Sequence, residues 1–388
     1  MAFPAPRRSS GPRVVVVGAG VIGLCCALEI ARGGGAVTVI DADAAPASLR
    51  IAPRAAAFAA AGMLGAFSEA LHEGPGHHRR LSDLCWEGLK SWRTLVASDP
   101  ELSGFVRFNG ALLLAHDEAD AARVSRAADR AKRHGAPYEK FEGLPPGLDG
   151  RLYGAKVKLS VRLPGEGAAS VEPTLARLAE MALSFGASIV REREVVEVAA
   201  SNDRVSGVHL DDGGALPADI VVLATGALAP ASLVAGCVAL QRLTPAKGML
   251  GGAPAPQAFD LAETVRTPRI YFGREGEQIF FGATSEPGRA DLDADPEAIA
   301  ALHLEVRRTL PGARFDLATT VLSVGLRPLS PDGAPLVGRT GPDGLIVAVG
   351  HGRNGWLLAP VTGVAVAALA SGVDPAPVWR DFTPDRFA

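Results

Sequence analysis

The 388-residue sequence is poor in cysteine. Its four thiols, Cys25, Cys26, Cys85 and Cys237, are scattered, and the adjacent Cys25 and Cys26 point to different sides of one helix-like segment. No disulfide framework and no zinc spacing is present, which suits a reducing, cytoplasmic setting. No run of about 20 uninterrupted apolar residues exists, so no transmembrane helix is expected. The formal net charge is only −3, which gives no electrostatic case for nucleic acid or an anionic membrane as partner. His72, His77 and His78 lack a companion acid or cysteine at ligand spacing, so they read as a solvated loop and no metal is expected.

Arg7 and Arg8, followed by an apolar run, imitate a twin-arginine signal. Three glycines and Glu29 interrupt that run, and its residues already serve another purpose. Residues 1–12 therefore read as a flexible tail. At this length two domains are expected.

What the chain does have is a complete βαβ unit near its start. Val14 to Val17 is an all-apolar stretch, as a parallel strand buried on both faces requires. Gly18, Gly20 and Gly23 follow in GxGxxG spacing. Leu24 to Arg32 is helix-like, Gly33 to Gly35 stop it, and Val37 to Ile40 make a second buried strand ending at Asp41. The three glycines suit a tight turn, close approach of the backbone to a pyrophosphate, and close packing of helix on strand. The helix N-terminus offers unpaired N–H groups to the phosphates, and Asp41 could accept hydrogen bonds from a ribose hydroxyl. The pattern suits NAD or FAD alike, but the acid disfavours the 2′-phosphate of NADP.

Further helices are expected at Leu81–Val96, Glu118–His134, Glu172–Phe185, Leu302–Leu310 and Pro360–Ala370. Strands are expected at Gly186–Val190 and Val195–Val198, and buried strands at Ile220–Leu223 and Leu345–Val349. Ala44 to Ala61 is ambiguous, with Pro46 and Pro53 breaking any long helix. The strand Ile220–Leu223 ends in a second glycine turn at Gly226, so the nucleotide-binding sheet is expected to be discontinuous in sequence. From Leu240 to Gly282 short aromatic segments bounded by glycines predict an antiparallel sheet.

Five segments occur in the order seen in the D-amino-acid oxidase-like FAD-dependent oxidoreductases. They are AAAGMLGAFSEA (59–70), ASVEP (169–173), VVLATG (221–226), GLRPLSPDGAPLVG (325–338) and GHGRNGWLLAPVTG (350–363). The chain resembles the glycine oxidase branch of that family, which serves thiamine thiazole synthesis. The resemblance spans about residues 14–385. It implies an α/β chain, α+β overall, with a Rossmann-like FAD-binding domain and an antiparallel-sheet substrate domain. Residues 13–80, 151–235 and 320–388 would form the first, and 81–150 and 236–319 the second.

The resemblance also implies site residues. Gly18, Gly20, Val21, Ile22, Gly23, Asp41 and Ala42 would hold the ADP half of a non-covalent FAD, with Val195 beside the adenine and Gly226 nearby. Ala61, Gly62 and Met63 match a flavin-side loop, where Met63 would pack on the ring. His351, Gly352, Arg353, Asn354, Gly355, Trp356 and Leu357 match the loop-to-helix turn at the flavin's pyrimidine end. There a helix N-terminus would offset the negative charge of the reduced ring. Arg327 matches a carboxylate-binding arginine, Tyr271 a tyrosine sharing that carboxylate, and Arg353 a second arginine of the substrate site.

Plainer readings stand beside these: Arg327 in a surface ion pair, Tyr271 as a strand aromatic, Arg353 pairing with phosphate or protein, His351 as a helix cap. Three places depart from the family pattern. Phe58 stands where serine is common, Phe67 is read as facing the pocket, and Lys247-Gly248-Met249 replaces a glycine-glutamine or glycine-glutamate pair. The implied activity is oxidative deamination of glycine, sarcosine and D-alanine-like amino acids, with O2 reduced to H2O2, in a homo-oligomer. A dehydrogenase passing electrons to a quinone and a non-catalytic flavin-binding protein are the rivals.

Overall fold

A computed structural model describes residues 11–44, 55–73, 78, 80–153, 156–255, 261–312 and 320–387. The tail expected at 1–12, the prolines Pro46 and Pro53, and His77 lie wholly or largely outside the described residues. Six strands form one sheet in the order Leu336–Arg339, Leu345–Val349, Ile220–Leu223, Arg13–Val17, Ala36–Ile40, Ser188–Val190. All pair in parallel except the first two. The expected discontinuity is thus real: neighbouring strands come from opposite ends of the chain.

The helix Val21–Arg32 follows the first strand and packs on the sheet. Gly23 permits that packing, because a Cβ there would lie 1.8 Å from the Gly18 carbonyl oxygen. The helix Gly355–Ala370 is apolar nearly all round and is buried accordingly. Its Gly363 sits against Val21–Arg32, where a Cβ would be 2.5 Å from the Cys25 carbonyl oxygen. The helix starts five residues before the expected Pro360, so proline is internal. Proline has no N–H to give the Trp356 carbonyl. The indole of Trp92, on the helix Leu81–Ala97, donates to that carbonyl at 2.7 Å instead.

A nine-stranded sheet forms the second layer of structure. Its order is Glu286–Pro287, Thr244–Pro254, Gln278–Gly282, Tyr271–Glu275, Thr264–Arg266, Ala111–Ala115, Leu159–Leu163, Glu139–Glu142, with Val321–Leu329 also paired to Thr244–Pro254. Leu159–Leu163 and Val321–Leu329 belong here, although the sequence reading places 151–235 and 320–388 with the nucleotide sheet. Backbone pairing decides it: Leu159–Leu163 bonds Ala111–Ala115, and Arg327 lies opposite Ala246.

The helix expected at Leu302–Leu310 runs from Pro296 to Thr309. Asp295 caps it by accepting from Glu297 N and Ala298 N, with Pro296 in the first turn, a start signal that the apolar spacing missed. Among the described residues no helix is long and apolar enough to cross a membrane.

Candidate functional site

One cleft of about 1640 Å³, counting the open space at its mouth, runs between the two large sheets. Two helices begin at it, Val21–Arg32 and Gly355–Ala370, and neither has a side-chain cap at its N-terminus. Their unpaired N–H groups therefore give two ends of one cleft a positive potential.

At the first end Gly18 has φ +104°, and a Cβ there would meet the Ala224 carbonyl oxygen at 2.6 Å. A Cβ at Gly20 would meet nothing within 4 Å, so that glycine leaves open room beside the helix terminus. Asp41 accepts hydrogen bonds from Ala19 N and, at 2.9 Å, from Asp43 N. Each carboxylate oxygen keeps a lone pair for a further donor. Thr225 Oγ1, on the wall beside Gly226, is buried without a partner. Gly62 has φ +60°, and its missing Cβ lets the loop lie against the Ala169 carbonyl.

The other end is built from distant segments. Tyr271 comes from one strand of the large sheet, Arg327 from another, and Arg353 from the turn Gly352–Asn354. All three line the cleft. Arg327 lies across Gly248, where a Cβ would be 2.1 Å from its Nη1, and that Nη1 donates to the Thr284 carbonyl at 3.0 Å. Burial, and then the like charge of Arg353, pulls the Arg327 guanidinium down to about 10. Burial also raises the Tyr271 phenol, opposed by the nearby arginines, so it stays a neutral donor.

Gly18, Gly20, Val21, Ile22, Asp41, Ala42, Ala61, Gly62, Met63, Val195, Gly226, His351, Gly352, Gly355 and Trp356 line the same cleft. Gly23, Asn354 and Leu357 do not. Gly23 is packed under the glycine turn, Leu357 is 1% exposed in the core, and Asn354 is buried at the start of the last helix. His351 does not cap that helix with its side chain. Its Nε2 pairs with Thr362 Oγ1 at 3.0 Å, and burial pushes its pKa down to about 3, so it is a neutral ring.

Two other expectations, those for Phe67 and His72, fail for packing reasons. Phe67 faces the core, 5.3 Å from the Trp86 ring, because the turn Ser68–Leu71 aims Glu69 at the cleft instead. Phe58 packs on the core while its alanine neighbours line the wall. His72 is half-buried beside the arginines: burial first, then the charges of Arg353, Arg266, Arg123 and Arg327, holds it neutral.

Two site residues escape sequence reading. Arg266, 3% exposed, reaches the cleft from the strand Thr264–Arg266. Its Nη1 donates to Ser68 Oγ and, at 3.2 Å, to Glu69 Oε1. Glu69 Oε2 lies 3.5 Å from Arg353 Nε. The turn carrying Glu69 is held by the buried Glu166, which accepts from Phe67 N at 2.6 Å and Ser68 N at 2.9 Å. A buried carboxylate gripping two N–H groups nearly 100 residues away is invisible to local pattern.

Residues 13–369 match the family model described as FAD dependent oxidoreductase. The chain belongs to that family. It is 31% identical to glycine oxidase of Geobacillus kaustophilus, over 92% of each chain. It is 28% identical to D-amino acid dehydrogenase of Rhizorhabdus wittichii, over 97% of this chain and all of that one. The crystal structure of the Geobacillus kaustophilus glycine oxidase superposes with a TM-score of 0.81 at 28% identity, covering 96% of this chain and 98% of that one. The protein is an FAD-dependent amino-acid oxidoreductase. Its residues fit the cofactor: a glycine cradle with open room at Gly20, an uncapped helix at each end of one cleft, and an unpartnered Thr225 hydroxyl.

Proposed function

We propose that the chain oxidises glycine and small D-amino acids at Cα, with dioxygen as the final acceptor. The observation that carries this reading is the convergence of Tyr271, Arg327 and Arg353, from three separate segments, on the cleft of an FAD enzyme. We assign the parallel sheet to the cofactor and the nine-stranded sheet to the substrate. Gly18, Gly20 and the Val21 helix terminus take the diphosphate, Asp41 a ribose hydroxyl, and the Gly355 helix terminus the flavin's pyrimidine end. FAD, when bound, supplies the acceptor for the hydride leaving Cα.

The chain's own part is positioning. Arg327 offers its planar fork to the substrate carboxylate, and Tyr271 donates to the same group. With the carboxylate fixed, the Cα–H bond has one orientation, and that restriction supplies most of the rate. His351 lines the cleft, but its Nε2 is engaged by Thr362 and burial leaves the ring a weak base, and His72 is not on the cleft wall, so neither is assigned as a base. The substrate enters with a neutral amine, whose nitrogen lone pair assists loss of the hydride. The imine product is released, to be hydrolysed in water or used as such; we place the intact imine upstream of thiazole formation for thiamine.

The test is anaerobic addition of glycine, sarcosine or D-alanine to the purified yellow protein. Bleaching of the visible flavin band supports the reading; no bleaching with any of them overturns it. The similarity to a D-amino acid dehydrogenase favours one second reading, a quinone as acceptor. Stoichiometric peroxide in air decides for oxygen. Acid precipitation should release the flavin into the supernatant, since the attachment we propose is non-covalent.

A further inference from the structure

Lys247 is 0% exposed, and the chemistry assigned above does not use it. It stands next to Gly248 on the strand Thr244–Pro254. Successive residues of a strand face opposite ways. Gly248 lines the cleft under the Arg327 guanidinium, so Lys247 points away from it. There its Nζ donates to Asp291. Desolvation offsets most of what a buried ion pair gains, so an apolar chain of that length would hold the core as well. What the pair can add is register, since an ammonium and a carboxylate meet in one alignment only.

Asp291 belongs to a stretch that needs holding. None of residues 283–295 is buried, so the stretch has no core of its own and is prone to local opening. Polar contacts strap it to Thr244–Pro254. Thr284 N donates to the Met249 carbonyl at 3.2 Å, and Thr284 Oγ1 accepts from Met249 N at 2.8 Å. Gly288 N donates to the Pro245 carbonyl at 2.8 Å. Arg289 gathers Asp291 at 2.9 Å, Glu286 at 2.8 Å and Asp295 at 3.1 Å into one knot, and Lys247 grips that knot from the core. Lys247 first, then Arg289, holds the Asp291 carboxyl well below its usual range, so it stays ionised. At the near end of the strap, the Thr284 carbonyl accepts Arg327 Nη1 at 3.0 Å.

We infer that Lys247 is a positioning residue for the substrate carboxylate: through Asp291 it fixes the strap 283–295, and with it the Thr284 carbonyl that aims Arg327. This rests on the reading that Arg327 holds the carboxylate. The cleft face of Thr244–Pro254 supplies the space at Gly248 in which the guanidinium lies, and the far face supplies the anchor for its acceptor. One strand thus sets both where Arg327 sits and which way its fork turns. Lys247 touches neither substrate nor cofactor, and its effect is on binding, not on hydride loss.

The experiment uses Lys247→Met in the holoenzyme, which removes the ammonium at similar volume and leaves Asp291 paired with Arg289. Acetate, a carboxylate without an amine, is titrated by its perturbation of the flavin spectrum. Its Kd and the KM for glycine should rise about three- to thirtyfold, the range for a residue acting through others, while kcat and FAD content stay near the parent's. Trypsin should cut after Arg289 faster in the variant. In an Arg327→Ala background Lys247→Met should raise neither constant further, because the guanidinium it aims is gone. A parent-like acetate Kd, a loss that falls on kcat or FAD content instead, or losses that add in the double variant would each overturn the inference. Should Lys247→Met fail to fold, Asp291→Asn decides: a smaller rise in acetate Kd supports the role, and no rise refutes it. If no amino acid bleaches the flavin yet acetate binding weakens as stated, the positioning role stands and the oxidase reading falls. If glycine bleaches the flavin and acetate binds the variant as it binds the parent, the oxidase reading stands alone.

Discussion

Gly248→Ala is the sharpest probe of how the cleft holds Arg327. The added Cβ would lie 2.1 Å from Nη1, 2.5 Å from Cζ and 2.6 Å from Nη2 of Arg327. Carbon contacts settle near 3.5–4.0 Å, so the guanidinium must retreat by roughly 1–1.5 Å. It is the far end of a flexible side chain, so the fold absorbs the change cheaply. The retreat breaks the 3.0 Å bond to the Thr284 carbonyl and takes the fork off its line to the substrate. A charged hydrogen bond is worth about 1.5–3 kcal/mol, which is roughly a ten- to 150-fold loss in kcat/KM. Most of it should fall on KM, with FAD content and melting temperature close to the parent's. Arg327→Ala should lose a similar amount. Both changes act through one guanidinium, so the double variant should be no worse than Arg327→Ala alone. Steady-state kinetics on the four proteins of the cycle decide it. A Gly248→Ala enzyme within threefold of the parent, or losses that add in the double variant, would refute the assignment of Arg327 to the substrate.

Two further outcomes test the frame around the cleft. Trp92→Phe should leave the Trp356 carbonyl without a donor and cost about 1–3 kcal/mol in denaturant unfolding, and Pro360→Ala in that background should recover part by restoring a helix N–H. No recovery would mean that the loss is cavity alone. The His351 ring, pushed down to about 3 by burial, gives an acid dependence. The unfolded chain takes up its proton near 6.5, so between about 6.5 and about 3 the unfolded state holds more protons and stability falls as pH falls, by up to about 1.4 kcal/mol per unit. His351→Gln should flatten that slope over pH 6 to 4; His72 acts with the same sign but is present in both proteins, so the difference isolates His351. An unchanged slope would place the acid sensitivity elsewhere.

The nucleotide end of the cleft was legible because its physics is local. A buried strand, three glycines, a helix and an acid lie within one short stretch, and each does there what its chemistry requires. The strands Ile220–Leu223 and Leu345–Val349 were legible too, since burial on both faces leaves continuous apolar runs. Proline misled at residue 360. It suits a helix start, and nothing nearby reveals that the orphaned carbonyl finds a donor on Trp92, 264 residues away. The strand Leu159–Leu163 was not read from the sequence, and the domain bounds drawn around it miss its sheet, because its partner Ala111–Ala115 lies far away in the chain.

The substrate end resisted because its parts mean nothing singly. Arg266 and Glu69 are 197 residues apart, and each alone reads as a surface charge. Glu166 explains why they meet. It draws the Phe67 and Ser68 N–H groups inward, which turns Phe67 into the core and leaves Glu69 facing the cleft. The charge of the pocket is therefore set by a buried acid that touches no ligand and lies next to no motif. The same logic separates what the two ends are for. The nucleotide end is fixed by backbone geometry, which tolerates exchange of side chains around it. The substrate end is fixed by which charged side chains share one carboxylate, so a single substitution at Arg266, Glu69 or Gly248 can change what the cleft accepts while the cofactor's seat stays as it was.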